Sequence, residues 1–177
     1  MLGVMWHVLV RPSSSAFDDA LAEVNFGRAI IATLGIGVVV GFIGGIINVL
    51  AVGDSIIEAI TLTIITPFRL LFALVVVNAF WLAILRALGG SGDFATQTSI
   101  SALVFVPTHA LSNVFLAIPS IGGAFALIVL AYGVVVSVFA LRAAHGGLAW
   151  RVSNIVLLVI ALIGGLLGVL AMSSIPQ

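Results

Sequence analysis

The chain has 177 residues, of which 63% are hydrophobic and only 7% are charged. Soluble domains average roughly 45–50% apolar and about 25% charged residues, so this composition excludes a water-soluble globular protein. The six positive charges are all arginine and balance six acidic residues, which leaves no basic surface for nucleic acid. Cysteine is absent, which excludes disulfides, thiolate catalysis and cysteine metal sites.

The N-terminal segment, residues 1–28, is expected to lie on the cytoplasmic side. Its start is apolar but lacks the basic region and cleavage site of a signal peptide. Serines at 13–15 provide helix N-caps. Phe17, Leu21 and Val24 then recur at helical spacing opposite acidic residues, which predicts an amphipathic helix in the membrane interface with its apolar side down.

Long apolar runs separated by short polar clusters predict five transmembrane helices in residues 29–177. A bilayer core of roughly 30 Å requires about 20 such residues per helix. In the second run, Pro67 and Arg69 interrupt the apolar residues, so we expect an interfacial piece before a span centred near Leu74. The predicted fold is an all-α, polytopic transmembrane bundle with spans at about residues 29–52, 64–86, 99–118, 121–142 and 154–172.

The arginines predict the orientation, because cytoplasmic loops collect Arg and Lys. With the N-terminus inside, only Arg69 falls towards the outer side. Five spans then place the C-terminus outside. The arginines at cytoplasmic ends are Arg11, Arg28, Arg86, Arg142 and Arg151.

Four stretches of sequence resemble one known family across nearly the whole chain: "RPSSSAF", "LLFALVVVNAFWLAILRALGGSGDF", "FVPTHALSNVFLAIPSIGG" and "FALRAAHGGLAWR". Together they resemble the Yip family, the Ypt-interacting-protein or Yip-one domain, in its prokaryotic form. The resemblance implies five spans, a cytosolic N-terminus and a place in the prokaryotic cytoplasmic (inner) membrane. Its marks, besides the proline-bracketed third span, are Gly89, Gly90, Gly92, Phe94, Arg142 and His145.

Eukaryotic members of this family are implicated in Golgi and endoplasmic-reticulum traffic and in binding prenylated Rab GTPases. This sequence departs from them, since it lacks their long cytosolic N-terminal region and their Asp-Leu-Tyr-Gly-Pro motif. Rab-type GTPase binding therefore does not carry over. For the prokaryotic form the resemblance implies a fold and a membrane location, but no reaction.

His109 is the first candidate for function, because an ionisable group near the middle of a span is costly. It lies on the third span beside Pro107, which is expected to kink the helix and free carbonyls. A polar stripe on this helix is expected to face protein or water. Around His109 the candidate polar residues are Ser101, Thr108, Ser112 and Asn113. The alternatives are hydrogen bonding between helices, or contact with a proton, ion or lipid headgroup.

Two polar residues of the second span could join that site. Arg69 is expected within a turn or two of the outer interface, paired with Glu58 or Asp54, unless it snorkels or contacts an anion or lipid phosphate. Asn78 is expected to bond to the stripe from His109.

Small residues suggest where helices approach closely. The glycines repeat every four residues in the first and fifth predicted spans, which indicates packing within the chain or oligomerisation. They are Gly37, Gly41, Gly45, Gly164 and Gly168.

Catalysis is not expected, because the acids lie near interfaces and no His/Glu pair has metal-ligand spacing. We therefore expect no enzyme, no metal and no cofactor. The leading hypothesis is a non-catalytic membrane scaffold or organising, trafficking-like factor whose partners are membrane lipids, further copies of itself or another membrane protein. The alternative is a small transporter, channel or lipid-translocating protein that uses the polar third span.

Overall fold

The structure is a computed structural model that describes residues 1–118 and 120–146. These residues form six α-helices and contain no strand. The predicted fifth span at 154–172, with Gly164 and Gly168, lies outside the described residues. The helices are α1 (Leu2–Val10), α2 (Ser14–Glu23), α3 (Phe26–Ala51), α4 (Ile56–Ala87), α5 (Phe94–Leu116) and α6 (Gly122–Ala144).

Within the described ranges, α3, α4, α5 and α6 are long and apolar enough to cross a membrane. They lie at the positions of the first four predicted spans. Large apolar side chains cover their outer faces, including Ile31, Phe72 and Leu127, as expected where helices face lipid chains rather than water. The described part is therefore an all-helical membrane bundle.

Side-chain caps set the helix starts. The Ser13 hydroxyl accepts a hydrogen bond from the Ala16 N–H at 3.1 Å, which begins α2. Ser55 and Glu58 form a reciprocal capping box at the start of α4. The Asp93 carboxylate accepts from the Ala95 N–H at 2.9 Å and begins α5. At the starts of α2, α4 and α5, polar side chains thus satisfy backbone donors that a helix start leaves free.

Helix α4 differs from the expectation of an interfacial piece followed by a shorter span. It is one continuous helix of 32 residues that begins at Ile56 and passes through Pro67. Proline removes one backbone hydrogen bond, but here the buried ring packs against Gly37 of α3. The close contact with α3 therefore supports the helix at the residue expected to interrupt it.

Helices α3 and α4 pack through a glycine face. A Cβ atom added to Gly41 would lie 2.7 Å from the Leu62 carbonyl oxygen and 2.8 Å from the Thr63 Cα. At Gly45 it would lie 2.9 Å from the Ala59 carbonyl oxygen. Only glycine permits backbones this close. The every-fourth-residue repeat thus places α3 directly on the first half of α4.

Helix α5 is the centre of the described bundle and contacts each of the other five helices. Thr108 of α5 packs against Gly133 of α6, and the Ser112 hydroxyl donates to the Ala126 carbonyl of α6 at 3.3 Å. Thr108 and Ser112 are buried. The most polar long helix is thus also the most enclosed, which removes its polar atoms from lipid.

The two N-terminal helices pack on the same bundle. Met5 and Val8 of α1 and Phe17 of α2 are buried in one apolar cluster with residues of α5 and α6. Phe17 stacks on Phe139 of α6 with ring centroids 6.5 Å apart, and the Tyr132 hydroxyl of α6 donates to the Leu9 carbonyl. The apolar side of α2 therefore lies against protein, where the sequence predicted contact with a membrane interface.

Candidate functional site

The predicted polar residues do not surround His109. Its Nδ1 lies 3.0 Å from the Phe105 carbonyl oxygen one turn earlier, and its ring stacks on the Phe105 ring at 3.7 Å between centroids. Asn113 donates to the His109 carbonyl at 2.7 Å. Thr108 donates to the Val104 carbonyl of its own helix at 2.7 Å. The polar groups at mid-α5 are thus bonded mainly within that helix.

The remaining members of the predicted stripe lie apart from His109. Ser101 is half-buried two turns earlier on α5, and Pro107 is half-buried inside the continuous helix. Ser112 faces α6 through its bond to Ala126. Thr108 and Ser112 therefore serve the α5–α6 contact, and Asn113 lies on another side of α5, facing α3 and α4.

Asn78 bonds to a residue that the sequence analysis did not single out. Gln97, fully buried near the start of α5, donates through Nε2 to the Asn78 carbonyl at 2.8 Å and to Asn78 Oδ1 at 3.2 Å. Asn78 itself donates to the Leu74 carbonyl. The expected bond from Asn78 to the His109 stripe is therefore wrong, because Asn78 faces the opposite end of α5. The amide side chain in the first turn of α5 was the signal for Gln97.

Gln97 joins Asn78 to His145, the residue that ends α6. His145 is only 4% exposed, and its Nε2 lies 2.8 Å from Gln97 Oε1. Its Nδ1 accepts from the Gly92 N–H at 3.0 Å, so the neutral ring carries its proton on Nε2 and donates it to Gln97. These bonds join the end of α6 to the α4–α5 loop, to α5 and to α4.

The α4–α5 loop fits closely around this histidine. Gly89 has φ +92°, which favours glycine. A Cβ atom on Gly92 would lie 2.5 Å from the Ala144 carbonyl oxygen and 2.9 Å from the His145 ring. Arg86 Nε donates to the Gly92 carbonyl at 3.2 Å. The loop glycines thus let the backbone reach the ring.

The other family-like residues lie near the same end of the bundle. Gly90 also contacts His145, Phe94 contacts the Phe26 ring, and Arg142 lies half-buried in the last turn of α6.

The surroundings of His145 favour its neutral form. Burial lowers the pKa of His145, the positive charge of Arg86 lowers it further, and Asp93 acts in the opposite direction. A neutral ring is required for Nδ1 to accept the Gly92 N–H. The tightly packed end of the bundle and this hydrogen-bond chain therefore depend on the same protonation state.

Arg69 lies far along α4 and away from its expected partners. It is 13 residues into α4, about 20 Å from the helix start at 1.5 Å per residue. Glu58, 11 residues earlier, lies about 16 Å along the helix and bonds to Ser55. The predicted pair with Glu58 or Asp54 is therefore wrong, because α4 continues unbroken from Ile56 to Arg69 and Asp54 precedes its start.

Arg69 instead lines a cavity of about 240 Å³ between α3, α4 and α5. Asn48 of α3 and Asn113 of α5 line the same cavity. The structure thus brings Arg69 and Asn113 together, as the sequence-based site required, but without His109 among the lining residues. Among the described residues, no group of three His, Cys, Asp or Glu side chains is placed to hold a metal ion.

Comparison with known proteins gives one match. Residues 6–172 match the family model of the Yip1 domain, which is nearly the whole chain and includes every helix except the first turn of α1. A comparison with curated proteins gives no match, and a comparison with solved structures gives none either.

Proposed function

Since this chain belongs to the Yip1-domain family and is an integral membrane protein with four described membrane-length helices, we propose that it acts as a non-catalytic membrane scaffold. In this role it holds or organises other components within the membrane, and its partners are lipids together with a second copy of itself or another membrane protein. The supporting observation is the enclosed α5, in which Thr108 and Ser112 are buried against α6.

A translocation path needs polar groups that water or a substrate reaches from at least one side. Thr108 and Ser112 are buried against α6, and His109 bonds to the Phe105 carbonyl and stacks on its ring. These contacts close the α5 stripe at Thr108 and Ser112, which favours a scaffold over a channel along the α5–α6 contact.

The second candidate is a small transporter or lipid-translocating protein, and the cavity at Arg69 favours it. A charged residue deep in a span is a common feature of substrate pathways. In this alternative the cavity, rather than the His109 stripe, would be the substrate entrance.

A liposome assay separates the two functions. The full-length protein is reconstituted with fluorescent lipid, and flux of lipid between leaflets is compared with protein-free liposomes. The scaffold proposal expects equal rates, for the native protein and for His109→Leu alike. Flux above background that falls in Arg69→Gln or His109→Leu but not in Leu111→Ala, a change at an exposed residue of α5, would overturn it.

Native mass spectrometry of protein released directly from its membranes tests the scaffold positively. A chain of 18.2 kDa is expected to appear with a constant additional protein mass, either a second copy or a partner. A monomer that carries only lipids would contradict the scaffold.

We also propose that the N-terminus is cytoplasmic. Supporting this, α3 and α5 begin at one end of the bundle, where Phe26 and Phe94 meet at 6.2 Å, and Arg28 and Arg86 lie at that same end. Because the chain contains no cysteine, single cysteines report orientation without background. In intact cells an impermeant maleimide is expected to label Ser120→Cys and to spare Ser91→Cys; the reverse pattern would invert the topology.

A further inference from the structure

The cavity at Arg69 has the composition of an anion site. Its polar lining comes from three helices: Asn48 of α3, Thr66 and Arg69 of α4, and Asn113 of α5. Glycine backbone at Gly41 and Gly44 forms another wall. No acidic side chain is among the described residues that line it. The cavity therefore presents one positive charge and several hydrogen-bond donors to whatever enters it.

The position of Arg69 along the bundle requires a partner for its charge. Pro67, two residues earlier, packs against Gly37, which is 11 residues into α3, or about 16 Å from its start. Arg69 thus begins well inside the apolar length of the bundle, where an unpaired charge is costly. The described helices leave the Arg69 side chain exposed.

The Arg69 side chain points from this depth towards the cavity. Side chains of a helix point towards its N-terminus, so Arg69 extends towards the end of the bundle where α3 and α5 finish. The cavity lies in this direction, and its lining runs from Val40 to Asn48 along α3 and reaches Ala117 after α5. An anion at that end would meet the guanidinium without crossing the bundle.

We propose that this cavity binds a phosphate-bearing anion, with Arg69 as the charged ligand and Asn48 and Asn113 as amide donors. A planar guanidinium bonds two phosphate oxygens at once. Asn113 already donates one amide hydrogen to the His109 carbonyl, which orients its side chain and leaves the second hydrogen for the ligand. The cavity has a volume of about 240 Å³, below the roughly 300–1,000 Å³ of pockets for drug-sized ligands. This volume suits an anion the size of a lipid headgroup.

The shared chemistry is the phosphate group, which a lipid phosphodiester or free phosphate could provide. The test uses the full-length protein in micelles of an uncharged maltoside detergent, which carries no phosphate. Dioctanoyl phosphatidylglycerol and inorganic phosphate are titrated separately, and bound ligand is counted by native mass spectrometry. Binding of the lipid alone identifies a headgroup site, whereas binding of both identifies a site for the phosphate anion itself.

Three variants assign the binding to this cavity. Arg69→Gln is expected to weaken binding at least roughly ten-fold, which corresponds to about 1.4 kcal/mol. Asn48→Leu, a nearly isosteric change that keeps the charge, is expected to weaken it by a smaller factor. Arg11→Gln removes an exposed arginine outside the cavity and is expected to bind as the native protein does.

Binding that is unchanged in both Arg69→Gln and Asn48→Leu would overturn the proposal, as would the absence of binding by native protein that still unfolds cooperatively. If Arg69→Gln does not fold, Asn48→Leu alone decides the outcome. The site does not depend on the scaffold proposal, since oligomeric mass and lipid flux are measured separately from ligand binding.

Discussion

Replacing Gly41 by alanine tests the close approach of α3 and α4. The new Cβ would lie 2.7 Å from the Leu62 carbonyl oxygen, whereas ordinary contact begins at 3.4 Å. Both near atoms, this oxygen and the Thr63 Cα, belong to the backbone and cannot rotate away. The helices must therefore separate by several tenths of an ångström along their shared face.

The magnitude follows from the packing lost. A gap of about 0.5–1 Å forfeits a quarter to a half of the dispersion at each neighbouring atom pair, and overpacking of this kind costs about 1–3 kcal/mol. Gly35 provides the matched control, because a Cβ there would meet nothing within 4 Å. Gly35→Ala is expected to stabilise the protein by about 0.5–1 kcal/mol through lower backbone entropy of the unfolded chain.

Unfolding in mixed micelles with increasing dodecyl sulfate, followed by circular dichroism, measures both changes. The two alanine variants are expected to shift the free energy of unfolding in opposite directions. If Gly41→Ala is as stable as Gly35→Ala, the helices are not held at the described distance and the reasoning is refuted. Gly41→Leu extends the series, since a larger side chain is expected to lower the stability further.

Two further predictions concern the polar end of the bundle. His145→Leu leaves the Gly92 N–H and the Gln97 amide oxygen without partners, which is expected to cost about 1–3 kcal/mol of unfolding free energy for each buried group. The same unfolding assay measures this loss. A stability equal to that of the native protein would contradict the hydrogen-bond chain. Burial and then the charge of Arg86 lower the pKa of His145 below its ordinary 6.5, so below pH 6.5 the unfolded chain binds more protons than the native state. Stability is therefore expected to be complete above pH 6.5 and to fall as the pH decreases towards the lower native pKa, in the native protein but not in His145→Leu; an equal pH dependence in both would assign it to other groups.

Some site residues could be found from the sequence, because membrane chemistry makes polar residues stand out among apolar ones. Arg69, Asn78 and Asn113 were singled out in this way, and Arg69 and Asn113 line one cavity. Which residues pair with them was not predictable. Asn78 bonds to Gln97, which depends on how α4 and α5 align. Arg69 lies far from Glu58, because α4 continues unbroken through the segment that was expected to be interrupted.

Composition and apolar run length determined by themselves that this is an all-helical membrane protein, since hydrocarbon permits only structures that satisfy their own backbone hydrogen bonds. The glycine repeat likewise marked the face of α3. Only the tertiary structure decided that Pro67 lies inside a continuous helix, that α2 packs on Phe139, and that His145 closes one end of the bundle. Those outcomes depend on contacts between distant parts of the chain, which compete with local preference and are not encoded in the pattern of any single segment.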